Sequence, residues 1–168
     1  MKNTQSSTVW AGLALIGLGI AFLVATTVGW DKAWPIFPAL GGLAFLAGYV
    51  TSGFRDDGLV FVGVAATLIG LFFFGFTLGI WEWEEMAQLW PVFPLIGGVA
   101  FIASFLAGRA RDWGVLGLGL VGIIVGVVGL AITLGGLESD IWKYWPALII
   151  LVGVFGLLTG LFGRKRKQ

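Results

Sequence analysis

Residues 34–48 read WPIFPALGGLAFLAG, residues 90–104 read WPVFPLIGGVAFIAS, and residues 145–160 read WPALIILVGVFGLLTG. The pairs Trp34-Pro35, Trp90-Pro91 and Trp145-Pro146 are spaced by 56 and 55 positions. Gly58-Leu59-Val60 and Gly114-Val115-Leu116, which precede two of these segments, are again 56 apart. A fixed period of this length marks a duplicated structural unit. Each unit reads as one helix, a short loop, then Trp-Pro and a second helix. Pro suits the first turn of a helix, where its missing N–H is not needed. Trp belongs at the boundary between lipid and water. The pair is therefore expected to fix where the second helix of each hairpin enters the membrane. Pro38 and Pro94 follow three residues later, still near the first turn, where a proline is tolerated.

Outward from these segments, charge-free runs extend over Val9 to Trp30, Ala33 to Phe54, Gly58 to Trp81, Met86 to Gly108, Trp113 to Leu137 and Tyr144 to Gly163. Each has roughly the 20 residues a helix needs to cross about 30 Å of hydrocarbon. Of the 168 residues, 58% are hydrophobic and 11% are charged, against about a quarter charged in soluble domains. A chain this short has too little interior to hide so much apolar surface from water. Lipid offers no partner for an unpaired backbone group, so spans must be helices or a closed barrel. The apolar runs are continuous, without the alternation of barrel strands. The expected fold is an all-α integral membrane protein with six transmembrane helices. They form three parallel-repeated hairpins in a single membrane domain, at about 9–54, 58–108 and 113–163, with a basic tail at 164–168. The first run is longer than a signal-peptide core and belongs to the repeat, so it is expected to be retained.

Charge gives these spans a direction. Lys2, Arg55, Arg109, Arg111, Arg164, Lys165, Arg166 and Lys167 fall on one side, Lys32 and Lys143 on the other. Such an excess in short segments predicts cytoplasmic placement of the basic side, and hence of both termini. The opposite loops carry Asp31, Glu82, Glu84, Glu85, Glu138 and Asp140, together with Trp30, Trp34, Trp81, Trp83, Trp90, Trp142 and Trp145. Hairpins that start and end on one side are parallel repeats, unlike the inverted repeats of many secondary transporters.

The candidate chemistry is sparse. The sequence has no Cys and no His, which removes disulfides, thiolate and imidazole catalysis, and the usual zinc and haem ligands. Intramembrane ionisable residues would mark ion paths or proton relays, and the predicted spans hold none. The polar residues left within them are hydroxyls: Thr26, Thr27, Thr67, Thr77, Ser104, Thr133 and Thr159. They are expected to bond to their own helix or a neighbour. Spacings such as Gly75/Gly79, Gly122/Gly126, Gly156/Gly160 and Ala103/Ala107 suit close helix approach, within the bundle or against another membrane protein. The loop WEWEEMAQLW, residues 81–90, flanks Glu82, Glu84 and Glu85 with Trp81, Trp83 and Trp90. It reads as an interfacial stretch with Trp among headgroups, or else as a site for a cation or a basic partner. General acid–base work needs a shielded carboxyl, which an exposed loop does not provide. Arg164, Lys165, Arg166 and Lys167 read as a topology signal and an anchor to anionic headgroups. No catalytic, cofactor or metal site is expected, and no nucleic-acid partner. The interface candidates are Trp34, Pro35, Trp81, Trp83, Trp90, Pro91, Trp145 and Pro146.

The repeat resembles the LiaI/LiaF-like transmembrane region of bacterial cell-envelope stress proteins. There a glycine-rich helix leads to a Trp-Pro start and an apolar helix, as in Trp145-Pro146-Ala147-Leu148-Ile149-Ile150-Leu151-Val152-Gly153. The resemblance covers all three repeats. It implies a non-enzymatic protein of the bacterial inner membrane that senses envelope state or regulates a membrane partner. LiaF-type proteins also carry a soluble C-terminal domain, whereas these residues end five positions after Gly163; the membrane module alone is expected. The leading expectation is a structural or regulatory protein acting on membrane lipids, on other membrane proteins or on itself. The alternatives are an accessory subunit of an energy-converting or photosynthetic complex, binding lipid or apolar pigment, and a small channel or carrier.

Overall fold

A computed structural model describes residues 3–108 and 112–135, together with Ile150 and Gly153. The expectations for Trp145, Pro146 and the basic tail Arg164–Lys167 lie outside the described residues. Within them every regular element is helical. In chain order these are α1 (Asn3–Val28), α2 (Trp30–Ala33), α3 (Ile36–Thr51), α4 (Asp57–Thr77), a 3-10 turn at Trp83–Glu85, α5 (Met86–Leu89), α6 (Val92–Ala107) and α7 (Trp113–Thr133). Trp30–Thr51, Asp57–Thr77 and Trp113–Thr133 are long and apolar enough to cross a membrane, and a bent pair, Trp83–Leu89 with Val92–Ala107, makes a fourth candidate. At 1.5 Å per residue, the 21 residues of α4 and of α7 each rise about 31 Å. The protein is an all-α membrane protein on these grounds.

Both Trp-Pro pairs start helices. Pro35 and Pro91 stand immediately before the first residues of α3 and α6, with φ −67° in each. They are the largest fully buried side chains among the described residues. What precedes them differs. Trp30–Thr51 continues in one direction, whereas Trp83–Leu89 and α6 meet at a bend of 58°. The cause is loop length. Three glycines with left-handed backbone close the preceding helices: Gly29 (φ 103°), Gly79 (φ 74°) and Gly135 (φ 78°). Each follows a Thr and an apolar residue: Thr27-Val28, Thr77-Leu78 and Thr133-Leu134. A glycine takes this helix-ending conformation without the Cβ clash. From Gly29 to Trp34 is five positions, and from Gly79 to Trp90 is eleven. The six extra residues form the separate segment that meets α6 at an angle.

The helices pack mainly on their neighbours along the chain. α1 meets α2 and α3, α3 meets α4, α4 meets α6, and α6 meets α7. The sequence repeat pairs a first helix with the Trp-Pro helix that follows it. The closest packing instead runs from each Trp-Pro helix to the helix after it, α3 on α4 and α6 on α7, across the repeat boundary.

Candidate functional site

The two closest helix crossings are copies of each other. A methyl group built on Gly42 would collide with Thr67 of α4 and lie 2.5 Å from the Gly63 carbonyl oxygen. One on Gly63 would meet Leu46 at 2.7 Å, and one on Gly70 would meet Ala39 at 2.6–2.9 Å. Moving every position by 56 gives the second crossing. There a methyl on Gly98 would meet Ile123 N at 2.5 Å and the Gly119 carbonyl oxygen at 2.7 Å. One on Gly119 would meet Ile102 at 2.7 Å, and one on Gly126 would meet Leu95 at 2.5–2.8 Å. As numbers rise on one helix they fall on the other, so each pair is antiparallel. Lipid tails are as apolar as the side chains, so burial alone drives little association between spans. Small residues that bring backbones together supply dispersion contact instead. The second crossing extends further: Gly122 faces the Pro94 carbonyl oxygen and Gly129 faces Pro91. Their counterparts, Ala66 and Phe73, carry side chains.

Of the expected small-residue spacings, Gly122/Gly126 is a helix contact and Gly75/Gly79 is not. Gly75 is covered by the ring of Trp81, and Gly79 is the helix-ending glycine with open space around it. Gly156 and Gly160 lie outside the described residues. The glycines that set the crossings, Gly42, Gly63, Gly70, Gly98 and Gly119, were not singled out from sequence. The signal was present as three glycine pairs at the repeat's own period: Gly42/Gly98, Gly63/Gly119 and Gly70/Gly126.

At the Trp-Pro end of the helices, aromatic residues of α4 and segment 81–93 form a cluster. Phe72, Phe76 and Ile96 are its buried centre, with Phe73, Trp81, Met86, Leu89 and Val92 packed around them. Trp81 lies 5.5 Å from Phe72 and 5.6 Å from Phe76 between ring centres. Trp34 lies 4.8 Å from Phe73, and Trp83 stacks on Phe76 at 5.0 Å. Segment 81–90 is therefore folded back onto α4 and α6. Trp34 and Trp81 are half-buried in helix contacts, whereas Trp83 is 52% exposed and Trp90 40%. Glu82, Glu84 and Glu85 are all exposed. Glu85 has a local structural task, since the Glu82 backbone N–H donates to its Oε2 at 3.0 Å. The carboxylates are thus held near one another by the turn, without a shielded cavity around them.

The hydroxyls within the helices mostly close on their own backbone. Thr26, Thr27, Thr67, Thr77 and Thr133 donate to carbonyls three or four residues earlier. Two hydroxyls tie elements together at the opposite end from the Trp-Pro pairs instead. Ser104 Oγ of α6 donates to the Asp57 carbonyl of α4 at 2.9 Å. Tyr49 Oη of α3 donates to the Ala107 carbonyl of α6 at 3.2 Å. Among the described residues no buried side-chain N or O atom is left without a partner. Ser104→Ala and Tyr49→Phe should each lower stability by about 0.6 kcal/mol, the mean for such bonds between spans, as read by unfolding in bicelles. A double variant measured with the two single ones tests whether these bonds act independently.

Among the described residues no group of three or more acidic residues, His or Cys is placed to hold a metal ion. What the site offers chemically is packing surface: close-approach glycines at the helix crossings, an aromatic cluster at the Trp-Pro end, and broad apolar faces. Large side chains such as Leu15, Leu23, Leu71, Leu106 and Leu118 are exposed along the helices. No family model matches this chain, and no curated protein or solved structure matches it either.

Proposed function

We propose that this chain is a six-span protein of a bacterial cytoplasmic membrane, built as three parallel hairpins with both termini in the cytoplasm. It acts without catalysis, in a structural or regulatory role, through contacts with membrane proteins and lipids. The observation that carries this reading is the disposition of polarity in the described helices. The hydroxyls of Thr26, Thr27, Thr67, Thr77, Ser104 and Thr133 are engaged by backbone carbonyls, while large apolar side chains are exposed. Groups already satisfied have little capacity to bind or move an ion. Apolar faces and small-residue stripes are what membrane partners and acyl chains recognise. The Trp-Pro repeat, with its resemblance to the LiaI/LiaF-like region, links the role to the state of the cell envelope.

Orientation is tested by labelling, for which the absence of native Cys is convenient. A cysteine placed at Glu84 should react with a membrane-impermeant maleimide on intact spheroplasts. One placed at Gln168 should react only after permeabilisation. The reverse pattern overturns the topology. The role is tested by extraction in mild detergent followed by native mass measurement. A stable assembly heavier than the 17.9 kDa single chain is expected. A lone chain, or ion flux through purified protein in liposomes, would overturn the proposal.

A further inference from the structure

Two pairs of rings stand at the same place in the first two hairpins. Phe22 of α1 meets Phe37 of α3 edge to face, with ring centres 5.3 Å apart and planes at 71°. Phe72 of α4 meets Phe93 of α6 at 5.4 Å and 78°. The endings Thr27-Val28-Gly29 and Thr77-Leu78-Gly79 set α1 against α4 with a shift of 50, and the Trp-Pro pairs set α3 against α6 with a shift of 56. These shifts carry Phe22 onto Phe72 and Phe37 onto Phe93. The repeat thus keeps one contact beside the Trp-Pro end of both hairpins.

Away from that contact the hairpins differ. Seven residues from each Phe, two helical turns along, stand Ala65 and Ala100 in the second hairpin and Leu15 and Ala44 in the first. Ala100 is fully buried and Ala65 half-buried; beyond them Phe61 touches Phe101, and Ser104 Oγ donates to the Asp57 carbonyl. Leu15 is 69% exposed, and Ala44 and Phe45 are exposed as well. Nearer Gly29, Ala21 and Ala25 of α1 are fully buried, whereas its large side chains at Leu15, Ile16, Leu18 and Ile20 are all exposed. The serine that fastens α6 to α4 has Gly48 as its counterpart on α3, so the first hairpin lacks that hydroxyl.

We infer that α1 is a movable arm, which swings about the Phe22–Phe37 contact and closes on α3 as α4 is closed on α6, with Leu15 against Ala44. The second hairpin identifies what covers the open α3 face: the first helix of the same hairpin. The motion rests on α1 lying in the membrane, as in the six-span reading proposed above. Its joint is Gly29, between α1 and α2, since residues at element ends absorb the backbone change of such motions. While the arm is open, acyl chains fill the wedge, because apolar atoms facing a void lose their dispersion contact. On closing, Leu15 and Ala44 supply that contact to each other. Lipid tails are as apolar as these side chains, so the exchange is nearly balanced, and the missing serine leaves the closed state without a latch.

Nitroxides on cysteines at Ile16 and Leu43 read the motion in the full chain in lipid bilayers. Both positions are exposed, and Val99, the counterpart of Leu43, stays exposed in the closed hairpin, so the labels leave closing free. Two separations are expected. Gly48→Ser should raise the ratio of the shorter to the longer about threefold, the worth of one hydroxyl bond between spans. Leu15→Cys with Ala44→Cys, oxidised in native membranes, should link within one chain. A single long separation without linkage overturns the arm in favour of a fixed, lipid-filled wedge. A single short separation overturns it in favour of a hairpin that is always closed. Linkage between differently tagged copies overturns it in favour of a second copy on the α3 face. All three leave the membrane reading standing. Should a water-soluble relaxing agent reach the Ile16 label where oxygen does not, α1 lies outside the lipid, and the six-span reading falls with the arm.

Discussion

Gly98→Val should be the most damaging single substitution among the described residues, with its neighbour Gly97→Val close to neutral. The two glycines are adjacent on α6, and only one lies at the crossing. A methyl on Gly98 faces backbone on three sides, at 2.5 Å from Ile123 N, 2.7 Å from Gly119 O and 2.9 Å from Gly122 C. None of these atoms belongs to a flexible side chain that could swing away. Relief requires α6 and α7 to separate, which also opens the contacts at Gly119, Gly122 and Gly126. Overpacking a well-filled core costs about 1–3 kcal/mol, occasionally more, and a backbone obstacle places Gly98 at about 3 kcal/mol or above. A methyl on Gly97 meets nothing within 4 Å, so its effect should stay within about 0.5 kcal/mol. The first crossing offers a replicate, since Gly42 is crowded in the same way and Gly41 is open. Reversible unfolding in bicelles reads all four variants. Similar losses at Gly97 and Gly98 would show that α6 and α7 do not cross at this point.

Trp81→Ala should be the second largest loss, and Trp83→Ala much smaller. Trp81 covers Gly75 and touches both Phe72 and Phe76, at the buried centre of the aromatic cluster. Full truncation of a buried Trp costs about 3–5 kcal/mol, and the partial exposure of Trp81 lowers this to about 2–3 kcal/mol. The loss should be local. Without Trp81 the segment from Glu82 to Leu89 loses its anchor on α4, so amides of α5 should exchange faster while those of α7 do not. Trp83 stacks on Phe76 and, at greater distance, on Phe73, and is 52% exposed, which corresponds to about 1 kcal/mol. Equal effects at the two tryptophans would contradict the arrangement.

The Trp-Pro helix starts were legible because both of their causes are local. A proline fixes its own φ, and a Trp seeks the interface whatever its neighbours do. Segment 81–90 was only half legible. Trp81 and Trp83 look alike in WEWEEMAQLW, yet one fills the space over Gly75 and the other stacks on the flank of Phe76 with half its surface exposed. The difference depends on the gap at Gly75, which lies six residues earlier and across a helix end. The spacing Gly75/Gly79 looked like a packing motif for a related reason. Small residues four apart are necessary for close helix approach, but they carry no information about which helix arrives. In the structure one of that pair receives a Trp ring and the other ends a helix.

What the sequence by itself determined is what each residue must do toward its solvent. Continuous apolar runs, sparse charges at their ends and a period of 56 were enough to predict an all-helical membrane protein with duplicated units. These properties are additive along the chain, so they survive without knowledge of contacts. Only the tertiary structure decided who packs on whom. Gly41 and Gly42, like Gly97 and Gly98, are indistinguishable in composition and spacing, and a helix crossing selects one of each because successive residues point about 100° apart. The same is true of the unit of packing. The repeat drawn by the sequence joins α4 to α6, but the backbones approach most closely between α3 and α4 and between α6 and α7. Close approach needs small residues opposed on two helices at one depth, a condition set by three-dimensional register that no single segment contains.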